Sequence, residues 1–103
     1  MADVASNPYQ AVSAVLQAAK LGVHNQYKLQ PAEDLDGLEN VRATRHVPSN
    51  LDKALTALDK DAALRQAVGE LYCNALIYIK RDEYDRLSGK SVDELRDFYL
   101  PFV

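Results

Sequence analysis

The chain has 103 residues, 48% of them hydrophobic, and a net charge of −3. This length and composition predict a single globular domain and exclude a disordered chain. Acidic and basic residues are interspersed, so there is no basic patch for nucleic acid, and no apolar run reaches the length of a membrane span. With one cysteine and no recognisable signal peptide, we expect a cytoplasmic protein without membrane or nucleic-acid partners.

The first predicted helix begins at Ser6 or Asn7, both capping residue types, with Pro8 at its first position. Residues 8–19 carry no charge, and this run is typical of a helix that packs on both sides rather than one that faces water. Gly22 predicts its end. Larger apolar residues follow helical spacing at Val12, Val15, Leu16, Ala19 and Val23. Small residues lie beside them at Ala11, Ala14 and Ala18.

Residues 24–48 contain several turn and breaker signals, among them Gln30-Pro31, Asp36-Gly37 and Pro48. Residues 33–39 are rich in acids, and residues 41–47 are compatible with a short strand. A connection this long is unusual in a compact domain. We therefore expect a long loop that runs across a surface lying outside this chain.

The second helix is predicted to start at Ser49 or Asn50, with a capping box between Ser49 and Asp52. Asp59 or Asp61 is expected to cap a short third helix, which Gly69 then breaks or kinks. The apolar positions of the second helix are Leu51, Ala54, Leu55 and Leu58. Those of the third are Leu64, Ala67 and Val68.

Residues 70–87 form the longest stretch without proline or glycine, and residues 73–79 are apolar or aromatic on nearly every side except at Asn74. Because a helix that is apolar all round is normally buried, this pattern predicts the central helix. The rings of Tyr72 and Tyr78 are expected in the core, as are Ile77 and Ile79.

The central helix should end at Ser88-Gly89, after a charged second half that begins at Lys80. Ser91 to Glu94 forms a capping box for a last helix that carries Leu95, Phe98 and Tyr99 and stops at Pro101. The predicted fold over residues 1–103 is therefore all-α. It is an irregular bundle of about four to five helices with a long 24–48 loop. A regular up-down four-helix bundle is not expected, because its helices are joined by short loops.

No catalytic, cofactor-binding or metal-binding residue can be assigned from these patterns. His24 and His46 have no neighbours at metal-ligand spacing. Cys73 lies in the most apolar stretch, where a buried thiol is a better interpretation than a nucleophile. The acids of residues 33–39 lack the pattern of a calcium loop, so a solvated loop is the better interpretation.

Several motifs in order resemble the glutamine synthetase family. Asn7-Pro8-Tyr9 opens a helix similar to the family's Asn-Pro-Tyr-Leu-Ala helix, and Leu29-Gln30-Pro31 is similar to the Leu-x-Pro that follows it. Residues 47–58 resemble Leu-Pro-x-Ser-Leu-x-x-Ala-Leu-x-x-Leu, and residues 64–69 resemble Leu-x-x-x-x-Gly. Residues 78–83 are similar to Tyr-x-x-x-Lys-Arg-x-Glu with the tyrosine offset changed. Residues 91–99 resemble the closing helix without its tryptophan.

The resemblance implies the C-terminal part of the catalytic domain of a ligase that joins glutamate to ammonia or an amine, within glutamine biosynthesis and nitrogen metabolism. In that family, the strands that hold ATP, Mg or Mn ions and glutamate lie upstream of Asn-Pro-Tyr. None of their ligand motifs has a counterpart here. We therefore expect this chain to be inactive alone, whereas the longer parent would be an ATP-dependent enzyme.

Tyr27 lies in a stretch that echoes a motif on which some family members are adenylylated. In those enzymes a longer stretch separates that tyrosine from Asn-Pro-Tyr. The surrounding Leu29-Gln30-Pro31 is explained better by the earlier Leu-x-Pro motif, so a plain loop tyrosine is favoured over a regulatory one.

Two hypotheses follow, a structural segment of the ligase and an independent helical module that binds a partner protein through its first helix. A reading frame that extends far upstream would favour the segment, whereas one that starts at Met1 would favour the module. Under the first hypothesis, Val12, Val15 and Leu16 face a catalytic domain outside this chain. The free chain is then expected to self-associate as a two-fold dimer through this helix and part of the 24–48 loop.

Overall fold

The computed structural model describes residues 6–32 and 46–102. These residues form five α-helices and no strand, which confirms the all-α prediction. The helices are α1 (Pro8–His24), α2 (Leu51–Lys60), α3 (Ala62–Val68), α4 (Glu70–Leu87) and α5 (Val92–Tyr99). A short 3-10 helix, Leu100–Phe102, follows α5.

Side chains begin four of these helices by accepting hydrogen bonds from unpaired backbone N–H groups. Asn7 caps α1 at Tyr9 and Gln10, and Asp61 caps α3 at Leu64. Asn50 caps α2 through a 2.9 Å bond from the Lys53 N–H. The predicted box between Ser49 and Asp52 is therefore wrong by one residue, because the Asn50 amide oxygen reaches this donor.

The last helix has the predicted capping box. The Ser91 N–H donates to the Glu94 carboxylate at 2.8 Å, and the Glu94 N–H donates back to the Ser91 hydroxyl at 3.3 Å. These bonds lower the pKa of Glu94, led by the bond from the Ser91 backbone. Because the hydrogen bonds join residues three apart, sequence spacing alone was enough to find this element.

Glycine ends one predicted helix and fails to end another. Gly69 separates α3 from α4 at a φ of 124°, a conformation that favours glycine. Gly22, in contrast, lies inside α1, so the prediction that it ends this helix is wrong. The turn comes at Gln26, which adopts a φ of 51°, and the Tyr27 N–H closes it by donating to the Gly22 carbonyl at 3.0 Å.

The core lies between α2, α3 and α4, which pack against one another, whereas α1 packs mainly against α3. Among the described residues only Leu55, Cys73 and Ile77 are buried. The predicted burial of Cys73 and Ile77 is confirmed. The Cys73 thiol is enclosed, and its Sγ lies 4.0 Å from the Arg65 carbonyl oxygen. Such a core is small for a chain with so many apolar residues.

The prediction that α4 is covered on all sides is wrong. Tyr78 is 78% exposed, Ile79 is 59% exposed and Tyr72 is 41% exposed, so these rings and this isoleucine are not in the core. The physical reason is that α4 packs against α2 and α3, and its buried and half-buried residues recur every three or four positions on one side, whereas the other side is exposed.

The loop prediction can be tested only in part. Residues 25–32 and 46–50 contain no helix or strand, as expected for the ends of a long connection. The predicted strand at residues 41–47 and the acidic group at residues 33–39 fall almost wholly outside the described residues. Val47, which is described, is in no strand.

Candidate interaction surface

Helix α1 turns most of its large apolar side chains away from the protein, whereas its inward side holds small residues together with Gln17 and Leu21. Residues on a helix advance by about 100° each, so two interleaved sets can occupy opposite sides. The half-buried set that faces α3 comprises Ala11, Ala14, Gln17, Leu21 and Gly22. The exposed set, which we call the α1 outer face, comprises Tyr9, Val12, Val15, Leu16, Ala19 and Val23.

The α1 outer face is open to solvent along its length. Val15 is 68% exposed, and its neighbours Val12 and Leu16 are exposed to a similar degree. An open, mostly apolar depression runs beside them, lined by Pro8, Tyr9, Val12, Ser13, Leu16 and Gln17. Contiguous exposed apolar residues of this kind mark interaction sites more often than solvated surfaces.

A second exposed apolar surface lies on the first half of α4. Its members are Leu71, Ala75, Tyr78 and Ile79, which we call the α4 outer face. In the second half of the helix the same side carries Asp82 and Arg86, which form an ion pair with each other. The helix side is therefore apolar over two turns and charged afterwards, a pattern typical of a surface that another body covers only in part.

Helices α1 and α4 approach each other at one place. Tyr9 of α1 and Tyr72 of α4 line a common depression together with Gln10, Ser13 and Val68. Both tyrosines are exposed. This depression is the part of the surface where α1, α3 and α4 are all within reach of one partner.

Charged side chains reinforce the packed side of the helices. Arg65 of α3 reaches two other helices, with one guanidinium nitrogen 3.1 Å from the Asp59 carboxylate and the other 2.8 Å from Glu70. It also donates to the side chain of Asn74. This contact set was not predicted from the sequence, because nothing in residue spacing brings positions 59, 65 and 74 together.

A second polar group joins α5 to α4. Glu83 accepts hydrogen bonds from Lys80, at 2.6 Å, and from the hydroxyl of Tyr99. Burial works to raise the pKa of the Glu83 carboxyl, but the bonds from Lys80 and Tyr99 and the charge of Lys80 outweigh it and lower the pKa. Burial, followed by the bond to Glu83, raises the pKa of Tyr99 to about 12.

The residues considered as possible ligands or nucleophiles are not brought together. His24 ends α1, His46 lies in the loop, and both are exposed. Tyr27 is an exposed loop residue whose hydroxyl accepts a 3.1 Å hydrogen bond from Asn25. Within residues 6–32 and 46–102, no group of three or more His, Cys, Asp or Glu side chains could hold a metal ion.

The same ranges contain no helix long and apolar enough to cross a membrane. Most of the large apolar side chains that the described helices expose lie on α1 and α4.

A family profile described as glutamine synthetase, catalytic domain, matches residues 1–99. The chain belongs to the glutamine synthetase family. It is 30% identical over 104 residues to the glutamine synthetase of Staphylococcus aureus strain MW2, an alignment that covers 95% of this chain and 23% of that protein. It is 33% identical over 91 residues to the glutamine synthetase of Pyrococcus abyssi strain GE5, covering 81% of this chain and 20% of that protein.

These matches confirm the resemblance to the C-terminal part of the family. The chain spans less than a quarter of the length of the Staphylococcus aureus relative. No solved structure matches it. The family membership thus rests on sequence, and the architecture described above is that of its C-terminal helical segment.

Proposed function

We propose that this chain is a structural segment of a glutamine-synthetase-like, ATP-dependent ligase that joins glutamate to ammonia or an amine. The observation that carries the proposal is the family match over residues 1–99 in a chain that spans 23% of a matched relative. In this proposal the segment does not catalyse the reaction by itself. The longer protein would act in the cytoplasm and use ATP with Mg or Mn.

The two outer faces support a structural role. A free-standing domain normally turns its branched apolar side chains inward, whereas α1 turns Val12, Val15 and Leu16 outward and packs alanines against α3. This arrangement is expected for a helix whose larger contact surface lies in another part of the protein. We propose that the catalytic part of the parent covers the α1 outer face and the α4 outer face.

A titration tests whether the chain has catalytic capacity of its own. Calorimetry with Mg-ATP should give no heat beyond dilution, and glutamate, ammonia and ATP should yield no glutamine, because the described residues offer no phosphate cradle and no metal-binding group. Saturable micromolar binding of Mg-ATP, or measurable glutamine formation, would contradict the proposed non-catalytic role.

The second candidate is a stand-alone helical module that binds a partner protein through α1. The exposure of Val12, Val15 and Leu16 favours it equally, since an anchor helix for any partner would look the same. The mass of the natural gene product, measured by mass spectrometry, separates the candidates. A product several hundred residues longer supports the ligase segment, whereas one of 103 residues supports the module.

A further inference from the structure

We propose that α5 is a hinged lid, which moves away from the end of α4 while α2, α3 and the rest of α4 stay folded. Residues 88–90 are the hinge, and the hydrogen bond from the Tyr99 hydroxyl to the Glu83 carboxylate is the latch. The proposal concerns a motion within the described chain, so it goes beyond the proposed structural role and does not depend on it.

Few side chains hold α5 in place. None of its residues is buried, and only Leu95 and Tyr99 are half-buried. These two lie four positions apart, so they share one side of the helix. Within the described part of the chain, the latch is the only side-chain hydrogen bond from α5 to another helix. Because segments with few buried apolar contacts open most easily, α5 should open at a lower free energy than the core of α4.

The packing of α5 against the end of α4 is incomplete. An open depression lies between α5, the last turns of α4 and the start of α2, and its apolar lining is Leu51, Tyr84, Leu87, Leu95 and Tyr99. All five side chains are half-buried, so they already contact water. Lifting α5 therefore exposes little further apolar area and costs little hydrophobic free energy.

The connection between α4 and α5 has the properties of a hinge. Ser88 leaves the helical conformation, and Gly89 adopts a φ of 80°, a conformation that favours glycine. The Lys90 N–H closes this turn by donating to the Leu87 carbonyl at 3.1 Å. The capping box of α5 lies wholly on the far side of the hinge, so opening does not break it.

Native-state hydrogen exchange measures the opening of α5 and of the core separately. The amides of residues 95–100 report on the lid, and those of residues 73–77 report on the core of α4. In the wild-type chain we expect the lid amides to be less protected than the core amides by about 10-fold or more. Equal protection in the two regions overturns the proposal.

A core substitution decides whether α5 opens alone. Ile77→Val weakens the packing of α2, α3 and α4, so it should raise exchange at residues 73–77 by about 2- to 12-fold. Exchange at residues 95–100 should not change, because the core remains folded when only the lid opens. If both regions accelerate together, α5 opens only with the whole chain, and the proposal is overturned.

Tyr99→Phe tests the latch. It removes the hydrogen bond to Glu83 and should raise exchange at residues 95–100 by about 2- to 12-fold. Tyr78→Phe makes the same change on an exposed ring of α4 and should leave these rates unaltered. Unchanged lid rates in Tyr99→Phe overturn the assignment of the latch.

Gly89→Ala tests the hinge. The added Cβ meets no atom within 4 Å, so its effect comes from the unfavourable positive φ, which opening relieves. We expect exchange at residues 95–100 to rise by about 5- to 30-fold. Gly22→Ala is the matched control, since its Cβ also meets no atom within 4 Å and its backbone is helical. Equal lid rates in the two variants overturn the assignment of the hinge.

Discussion

Helices α1 and α4 differ in which of their apolar residues they bury within this chain. On α4 the inward side is a conventional core face, with Cys73 and Ile77 buried against α2 and α3. On α1 the half-buried inward side consists of small residues together with Gln17 and Leu21, and Val12, Val15 and Leu16 face water. The difference indicates that α4 stabilises this segment from within, whereas α1 is attached to the segment by one side and leaves its other side exposed.

The largest expected effect separates the two sides of α4. Ile77→Ala should lower the free energy of unfolding by about 2–5 kcal/mol, because it removes buried methyl groups and leaves a cavity. Ile79→Ala is the matched control, and its 59% exposure predicts a loss below about 1 kcal/mol. Urea denaturation followed by circular dichroism measures both. Equal losses at the two positions would show that α4 is covered on both sides.

A change of size tests the orientation of α1. Ala14→Leu places a larger side chain between α1 and α3, so we expect a loss of about 1–3 kcal/mol from overpacking. Ala19→Leu makes the same change on the outer face and should leave the unfolding free energy almost unaltered. Both are measured by urea denaturation followed by circular dichroism. A larger loss for Ala19→Leu would reverse the assignment of the two sides.

The Arg65 contacts should account for a smaller share of the stability of the α2–α3–α4 region. Arg65→Gln loses the ionic bonds to Asp59 and Glu70. We expect the free energy of unfolding to fall by about 1–2 kcal/mol, since the guanidinium is mostly enclosed. Arg86→Gln removes an exposed ion pair with Asp82 and should cost less than about 0.5 kcal/mol. Thermal denaturation at low and high salt measures the loss of stability in each variant. Identical losses for Arg65→Gln and Arg86→Gln would refute a special role for Arg65.

The smallest effect concerns the attachment of α5. Tyr99→Phe removes a hydrogen bond to Glu83 and should cost roughly 0.5–1.5 kcal/mol near neutral pH. Tyr78→Phe, at an exposed ring, is the control and should cost nothing measurable.

Acid unfolding tests the same contact with a defined sign. The pKa of Glu83 is lower in the folded chain than its ordinary value of 4.5. Its contribution to the free energy of unfolding is therefore complete above pH 4.5 and is lost as the pH falls through the lowered pKa. The raised pKa of Tyr99 means that its contribution is present below about pH 10 and is lost as the pH rises through about 12. Tyr99→Phe should flatten both limbs of the stability profile, and an unchanged profile would contradict the contact.

The sequence alone predicted helix caps and breaks wherever the residues that interact are close to each other in the chain. The capping box at Ser91 and Glu94, the cap at Asp61 and the break at Gly69 all join residues within a few positions of one another. The family could be recognised for the same reason, since its motifs are short and occur in order. The end of α1 was misplaced because Gln26 adopts a backbone conformation in which glycine is usually expected.

The sequence by itself determined that the described chain is helical, where most of its helices start, and to which family it belongs, because these depend on local hydrogen bonds, periodicity and short motifs. Only the tertiary structure decided which apolar residues are buried. A helix with apolar residues on all sides, such as residues 73–79, can be covered wherever neighbours exist, and here α2 and α3 cover one side. For α1 the alanine side allows close approach to α3, which leaves Val12, Val15 and Leu16 facing outward.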